Sequence, residues 1–254
     1  MSQEIDKYLR LIGIESPNNE IENSIFISAN SVNEIKVDLD KIDPFTILAE
    51  IKEEEKKAKI NRSNKKENYF KRMVLGAEIA SQCYMERTFG SVKFQKLVFL
   101  CEHASDMEFS TNYSKQAAGP FDNKFMHSVR KEFKTQKWFN VENKKINNFN
   151  KVCFEPMENF GNHKKFYSSY YNSSDNEINQ IIDLFKKSYT NEVELVATIF
   201  ACWLEIIEKK QLFSEKLIIN KVYNWSKEKK KFSISDISNK LCWMKDIGLT
   251  PIKN

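Results

Sequence analysis

The sequence predicts a mainly α-helical protein in which a helix–helix–hairpin unit packs on a C-terminal helical group, preceded by a small acidic N-terminal attachment of mixed α and β structure. Three observations predict it. Only 6 Gly and 5 Pro occur in 254 residues, too few for an architecture that turns every ten residues, and 19 Phe supply material for a core. From Tyr69 onward apolar residues recur at helical spacing, apart from two short β-like pieces between 138 and 155. The length fits one large domain plus a fraction of a second.

Taken in order, SIFIS (24–28) and EIKVDL (34–39) alternate apolar and polar residues and predict a hairpin. Asp43-Pro44 is a helix opening, followed by a narrow apolar stripe of Phe45, Leu48 and Ile51. The run 53–68 is too polar for a core and reads as a solvated helix end or a linker, so a boundary is expected near residue 62, between an N-terminal segment 1–62 and a domain 68–254. Helices are then predicted over 69–87 (Phe70, Val74, Ala77, Ile79 and Cys83 to one side) and 92–107. Gly119-Pro120 interrupts, and Phe121, Phe125, Val129 and Phe133 mark a third helix over 121–134, with Asp122 placed to cap it. WFNV (138–141) and VCFE (152–155) form a second hairpin. Ser174 with Glu177, and Asn191 with Glu194, read as capping boxes. ELVATIFACWLEII is apolar nearly all round, which predicts a central helix surrounded by its neighbours. Two amphipathic helices follow, around Leu217–Trp225 and Ile237–Met244, with Gly248 and Pro251 as stop signals.

Charge divides the chain. Residues 1–60 hold 8 Lys/Arg against 13 Asp/Glu, a net of −5, which leaves +10 for the rest of a chain whose total is +5. An acidic head thus precedes a basic body that suits an anionic partner. Five cysteines, odd in number and dispersed, read as reduced core residues of a cytoplasmic protein. The start MSQEIDKYLRLIG lacks the pattern of a signal peptide and no run is long enough to span a bilayer, so no membrane partner is expected.

Chemistry-bearing motifs are sparse. No Gly-x-Gly and no Gly-Lys-Ser/Thr occurs, which argues against nucleotide-driven chemistry, and no cofactor is predicted. Cys101 and His103 diverge by about 200° on a helix and cannot share a metal; the three histidines read as surface or boundary residues. Cys101 and Cys202 lie in core-like runs unsuited to a thiol nucleophile. Asp43, Glu50 and Lys52 are the residue types of a metal-dependent nuclease, but on a predicted helix Glu50 and Lys52 diverge. The chain is therefore read as non-enzymatic, with no catalytic and no metal-ligating residues.

One constellation rises above this background. Residues 115–151 hold nine Lys/Arg against three acids. With its phenylalanines inward, the third helix leaves Lys124, His127, Arg130, Lys131 and Lys134 to solvent, and the hairpin after it carries Lys144 and Lys145. A helix, a basic helix and a basic hairpin resemble the layout of a winged helix, whose second helix enters the major groove while the wing touches backbone. Asn123 stands at the helix start as the residue type that reads bases; the lysines suit phosphates.

FGSVKFQKLVFLCEHA (89–104), NYSKQAAGPFDNKFMHSVRKEFKTQKWF (112–139) and, more loosely, ELVATIFACW (194–203), NWSKEKKKFS (224–233) and WMKDIGLTP (243–251) resemble a helical module found at the C-terminal end of type I restriction-modification specificity subunits and related restriction proteins. The first half is also similar to the Panacea (SocA-like) domain of antitoxins and proteolysis adaptors. Lys93, Gln95 and Lys96, with Gly119, Pro120, Phe121 and Asp122, are the motif positions that carry it. The resemblance implies a non-catalytic accessory or adaptor protein of a restriction-type defence system or a toxin–antitoxin locus, with a protein partner from that locus; DNA as a second partner is the expectation that the basic 115–151 surface adds. An antitoxin that neutralises a toxin by direct binding is the alternative it implies. Residues 1–67 are too few for a target-recognition domain, so site choice in the manner of a specificity subunit is not expected.

Overall fold

A computed structural model describes residues 24–27, 35–38, 44–104, 113–146 and 149–251. The chain divides into two compact units, Met1–Ser63 and Asn64–Asn254. In the first, β1 (Ser24–Ile27) pairs antiparallel with β2 (Ile35–Asp38), Ser24 opposite Asp38 and Ile27 opposite Ile35, which is the hairpin that the alternation predicts. Helix α1 (Pro44–Cys83) starts at the expected proline and continues without a break through the polar run 53–68. That run is not a helix end but continuous helix, and the division between the two units falls within it, at Ser63 and Asn64. Its Glu, Lys and Ala residues are good helix formers, and polarity alone does not end a helix. Asp43, the first residue of the nuclease-like string, lies outside the described residues.

The second unit is mainly helical. After α1 come α2 (Ser91–Ala104), a short hairpin of β3 (Ser114–Gln116) and β4 (Gly119–Phe121), α3 (Asn123–Thr135), and the longer hairpin of β5 (Phe139–Ile146) and β6 (Phe149–Pro156). Five helices follow: α4 (Lys164–Tyr171), α5 (Asp175–Phe185), α6 (Thr190–Glu208), α7 (Glu215–Tyr223) and α8 (Ile234–Asp246). The sequence carries no clear signal for α4, whose Tyr167 and Tyr171 are buried and whose Tyr171 hydroxyl donates to the Lys71 carbonyl at 2.7 Å.

The core surrounds two helices. In α1 every residue from Arg72 to Ala80 is buried, so the single apolar side expected there is in fact enclosure all round. In α6 the same holds from Val193 to Phe200, and α6 packs against α2, α7, α8 and β4. Phe94 of α2 joins these layers: its ring stacks parallel to Phe125 at 6.1 Å and meets Phe133 of α3 and Phe154 of β6 at 6.5 and 5.0 Å. Hairpin β5–β6 sets Val141 opposite Phe154, both buried, while Lys145 opposite Asn150 is exposed. One face of that hairpin thus lies on the core and holds its register.

Several local expectations fail, each for its own reason. Ser174 does precede α5, but with ψ near 10° its hydroxyl makes no cap bond, and the Asp175 carboxylate accepts from Asn179 instead. At α6 the helix begins two residues early, at Thr190 with Tyr189 in the cap position; Asn191 accepts from Lys231, and Glu194 is buried. Asn191 and Glu194 are thus drawn away by lysines 40 and 35 positions distant in sequence. The complete capping box is Ser233 with Asp236 on α8, and Ser214 caps α7. Cys83, Cys101 and Cys202 are buried free thiols as expected, but Cys242 is exposed and Cys153 half-buried.

Candidate interaction surface and its buried support

Helix α3 is set in place by the motif residues, nearly all of which face inward. Gly119 has φ +99°, and a Cβ there would stand 2.8 Å from Thr198 Oγ1 and 3.3 Å from Lys96 Cε, so both conformation and space require glycine. The next carbonyl, of Pro120, accepts from the Lys96 ammonium at 2.5 Å. Gln95 brackets Asp122: its amide donates to the Asp122 carbonyl at 2.8 Å, and its side-chain oxygen accepts the Asp122 backbone N–H at 2.9 Å. Asp122 then caps α3 as predicted, Oδ1 accepting from the Phe125 N–H at 3.0 Å. Lys93 performs a similar service elsewhere, its ammonium donating to the carbonyls of Lys186 and Ser188, which close α5. Lys93, Gln95 and Lys96 are all fully buried, Asp122 nearly so and Phe121 half-buried.

The charges in this support are unequally matched. Arg72 lies over the Phe125 ring and donates to both Glu102 and Asp122, and Tyr113 donates to Glu102 at 2.7 Å. Burial works against the Arg72 charge, yet Tyr113, Glu102 and Asp122 together hold its pKa above the usual value. Burial raises the Glu102 carboxyl in spite of Arg72. On the other side of Gln95, the buried Glu194 accepts from Lys229 at 2.7 Å and from Lys231 at 3.1 Å. Among the described residues Lys96 has no carboxylate within ion-pair distance, its ammonium donating to the Pro120 carbonyl. Burial and the neighbouring Lys229 depress its pKa to about 7, with Glu194 opposing them. Glu194, Lys229 and Arg72 escape a reading by spacing; their only signal is that of a charge within an apolar run, as at Glu194.

Outward, α3 presents a basic stripe. At 100° per residue, Asn123, Lys124, His127, Lys131 and Lys134 fall within an arc of about 100°, opposite the buried Phe125, Met126, Val129 and Phe133. All five are exposed. Glu132, the helix's one carboxylate, is off the stripe beside Tyr69, whose pKa is raised by burial and by Glu132. Arg130 departs from the expectation: it is half-buried and its Nε is enclosed without a partner, because its position borders the buried face. Lys144 departs too, held in an ion pair with Glu155 of the neighbouring strand. Lys115 is paired with Glu205 and Lys151 donates to the Arg87 carbonyl. Lys145 is exposed.

A further basic residue follows the stripe. Trp138 N–H bonds the Phe133 carbonyl and Lys137 N–H that of Lys134, with Lys137 at φ 57° and the Trp138 and Phe133 rings 6.1 Å apart. This is a Schellman ending with lysine where glycine is usual. Lys210 at φ 51° and Gly248 at φ 72° occupy the same position after α6 and α8.

Other chemistry finds little support in the geometry. His163, expected near the surface, is fully buried and bonded through Nε2 to Glu78 at 2.8 Å, a partner 85 positions away, while its Nδ1 has none. His103 bonds the Phe99 carbonyl and burial lowers its pKa. Burial pushes the Cys83 and Cys202 thiols up to about 12. Among the described residues no three His, Cys, Asp or Glu side chains gather as a metal site, and no helix is long and apolar enough to cross a membrane. Open grooves are found among the described residues. One, of about 510 Å³, lies over Phe232 and Trp243; another, of about 490 Å³, lies between Tyr113 and Trp225. No known protein family matches this chain, and no curated protein matches it in sequence.

Proposed function

We propose that this protein is a non-enzymatic accessory module that binds DNA through the outward face of α3 and the β5–β6 hairpin. The observation that carries the reading is charge without partners. Lys124, Lys131, Lys134, Lys137 and Lys145 are exposed, and none has a carboxylate within ion-pair distance among the described residues. The order α1, α2, α3, hairpin is consistent with the winged-helix layout read from the sequence, the hairpin serving as wing. The restriction-type or antitoxin setting, and a protein partner from the same locus, follow from the resemblance of the Gln95-Lys96-Leu97 and Ala118–Asp122 segments.

Fluorescence anisotropy with a labelled duplex at low salt tests the binding. Changing Lys124, Lys131, Lys134, Lys137 and Lys145 together to Glu should abolish it without loss of helical circular dichroism. Absence of binding by the unaltered protein at low salt overturns the reading.

A further inference from the structure

We infer that α3 lies across the major groove and contacts the two phosphate rows that border it, so that the surface holds duplex DNA without reading its sequence. This rests on the DNA-binding reading above and specifies its mode. The first ground is length. From Lys124 to Lys134 the stripe rises ten residues, about 15 Å along the helix axis, whereas the major groove is about 12 Å wide. A helix laid across that opening sets Lys124 over one backbone and Lys134, with Lys137 just beyond, over the other.

The second ground is what the stripe lacks. Direct readout of bases in the major groove relies on paired donors and acceptors, chiefly Arg on guanine and Asn or Gln on adenine. The sole arginine of α3, Arg130, is half-buried with its Nε enclosed. Asn123 is the one exposed amide on the stripe, and it stands alone at its edge. The remaining charged groups are lysines, compact ammonium ions on flexible stems that suit phosphate and impose no planar geometry. The third ground is the helix start. In groove-entering modes the first turn points at the DNA. Here that end is already occupied by the buried Asp122 carboxylate, which accepts from the Phe125 N–H and from Arg72 while Gln95 holds the Asp122 backbone, so the helix start offers a phosphate no free site.

Neutralising five phosphates predicts a slope of log affinity against log salt of about −4.5, at about −0.9 per contact. Anisotropy titrations of the full chain with three unrelated 20-base-pair duplexes should give affinities within about threefold of one another. Rounds of selection from a randomised duplex pool should enrich no motif. Lys131→Ala should flatten the salt slope by about 0.9 equally on all three duplexes, and Asn123→Ala should change neither slope nor relative affinity. A motif preferred tenfold or more, or a preference altered by Asn123→Ala, overturns backbone-only readout while leaving DNA binding in place. Single strands bound as tightly as duplex overturn the groove-spanning geometry. No binding to any DNA removes the underlying reading as well.

Discussion

Arg72 Nη1 donates to Asp122 Oδ2 at 2.6 Å, joining residues 50 positions apart and tying the cap of α3 to the interior of α1. Replacing Asp122 by Ala removes the cap, worth about 1 kcal/mol, and breaks one half of a buried charge network, for which losses of about 3–5 kcal/mol are typical. We expect Asp122→Ala to lower the denaturant midpoint by the equivalent of about 3 kcal/mol with the slope unchanged. Asp122→Asn keeps an acceptor for Phe125 and should lose clearly less. Equal losses would mean that the cap contributes nothing.

Gly119 and Gly248 both have positive φ, yet their surroundings differ. A Cβ at Gly119 meets Thr198 Oγ1 at 2.8 Å, whereas one at Gly248 meets nothing within 4 Å. Gly248→Ala should therefore cost about 1 kcal/mol from backbone strain alone, and Gly119→Ala about 3 kcal/mol or more once the clash is added. Thr198→Ala in the Gly119→Ala background should recover part of that loss, seen as a coupling term in a double-mutant cycle.

Lys137 occupies a left-handed position at about 1–2 kcal/mol relative to glycine. Thermal unfolding of Lys137→Gly should show stabilisation of about 0.5–1 kcal/mol, because glycine's greater freedom in the unfolded chain offsets part of the relief. The same variant should bind DNA more weakly. Opposite signs in the two measurements separate the charge of Lys137 from its backbone.

Lys96 makes folding stability depend on pH. Its folded pKa, about 7, lies below the ordinary lysine value of 10.5. Between these values the unfolded chain binds the extra proton, so the contribution of Lys96 to stability rises with pH from about 7 upward, and below 7 the full penalty of the buried charge is present. Lys229 and Lys93 are depressed by burial in the same sense. Comparison with Lys96→Met isolates the Lys96 part: relative to the unaltered protein, the variant should be most favourable near pH 6–7 and should lose ground by a few kcal/mol by pH 9.5. A difference independent of pH over that window would show that Lys96 titrates normally.

How far the chain can be read without its fold is seen at particular residues. Pro44 opens α1, Asp122 caps α3, and the alternations at 24–39 and 138–155 give hairpins. These depend on neighbours within a few positions, where backbone sterics and hydrogen-bond reach act directly. The stripe Lys124, His127, Lys131 and Lys134 is legible for the same reason: helical periodicity places it opposite Phe125 and Phe133. Ser174 and Asn191 have the right residue types for caps and do not act as caps: Ser174 has a ψ near 10° instead of the extended backbone of a cap, and the Asn191 side chain accepts from Lys231, 40 positions away. Likewise Arg130 and Lys144 have the composition of a binding surface, yet one borders the core and the other is taken by Glu155.

By itself, then, the sequence determined the helical class, the two hairpins, the central α6 and the side of α3 that faces solvent, because each follows from local periodicity and from the small number of residues that fit a turn or a helix end. Only the tertiary structure decided that Lys93, Gln95 and Lys96 are interior, that Arg72 and Glu194 serve partners dozens of residues away, and that His163 is enclosed against Glu78. A charge enters a core when distant groups arrive to satisfy it, and the desolvation and hydrogen bonding that set its state belong to that assembled neighbourhood.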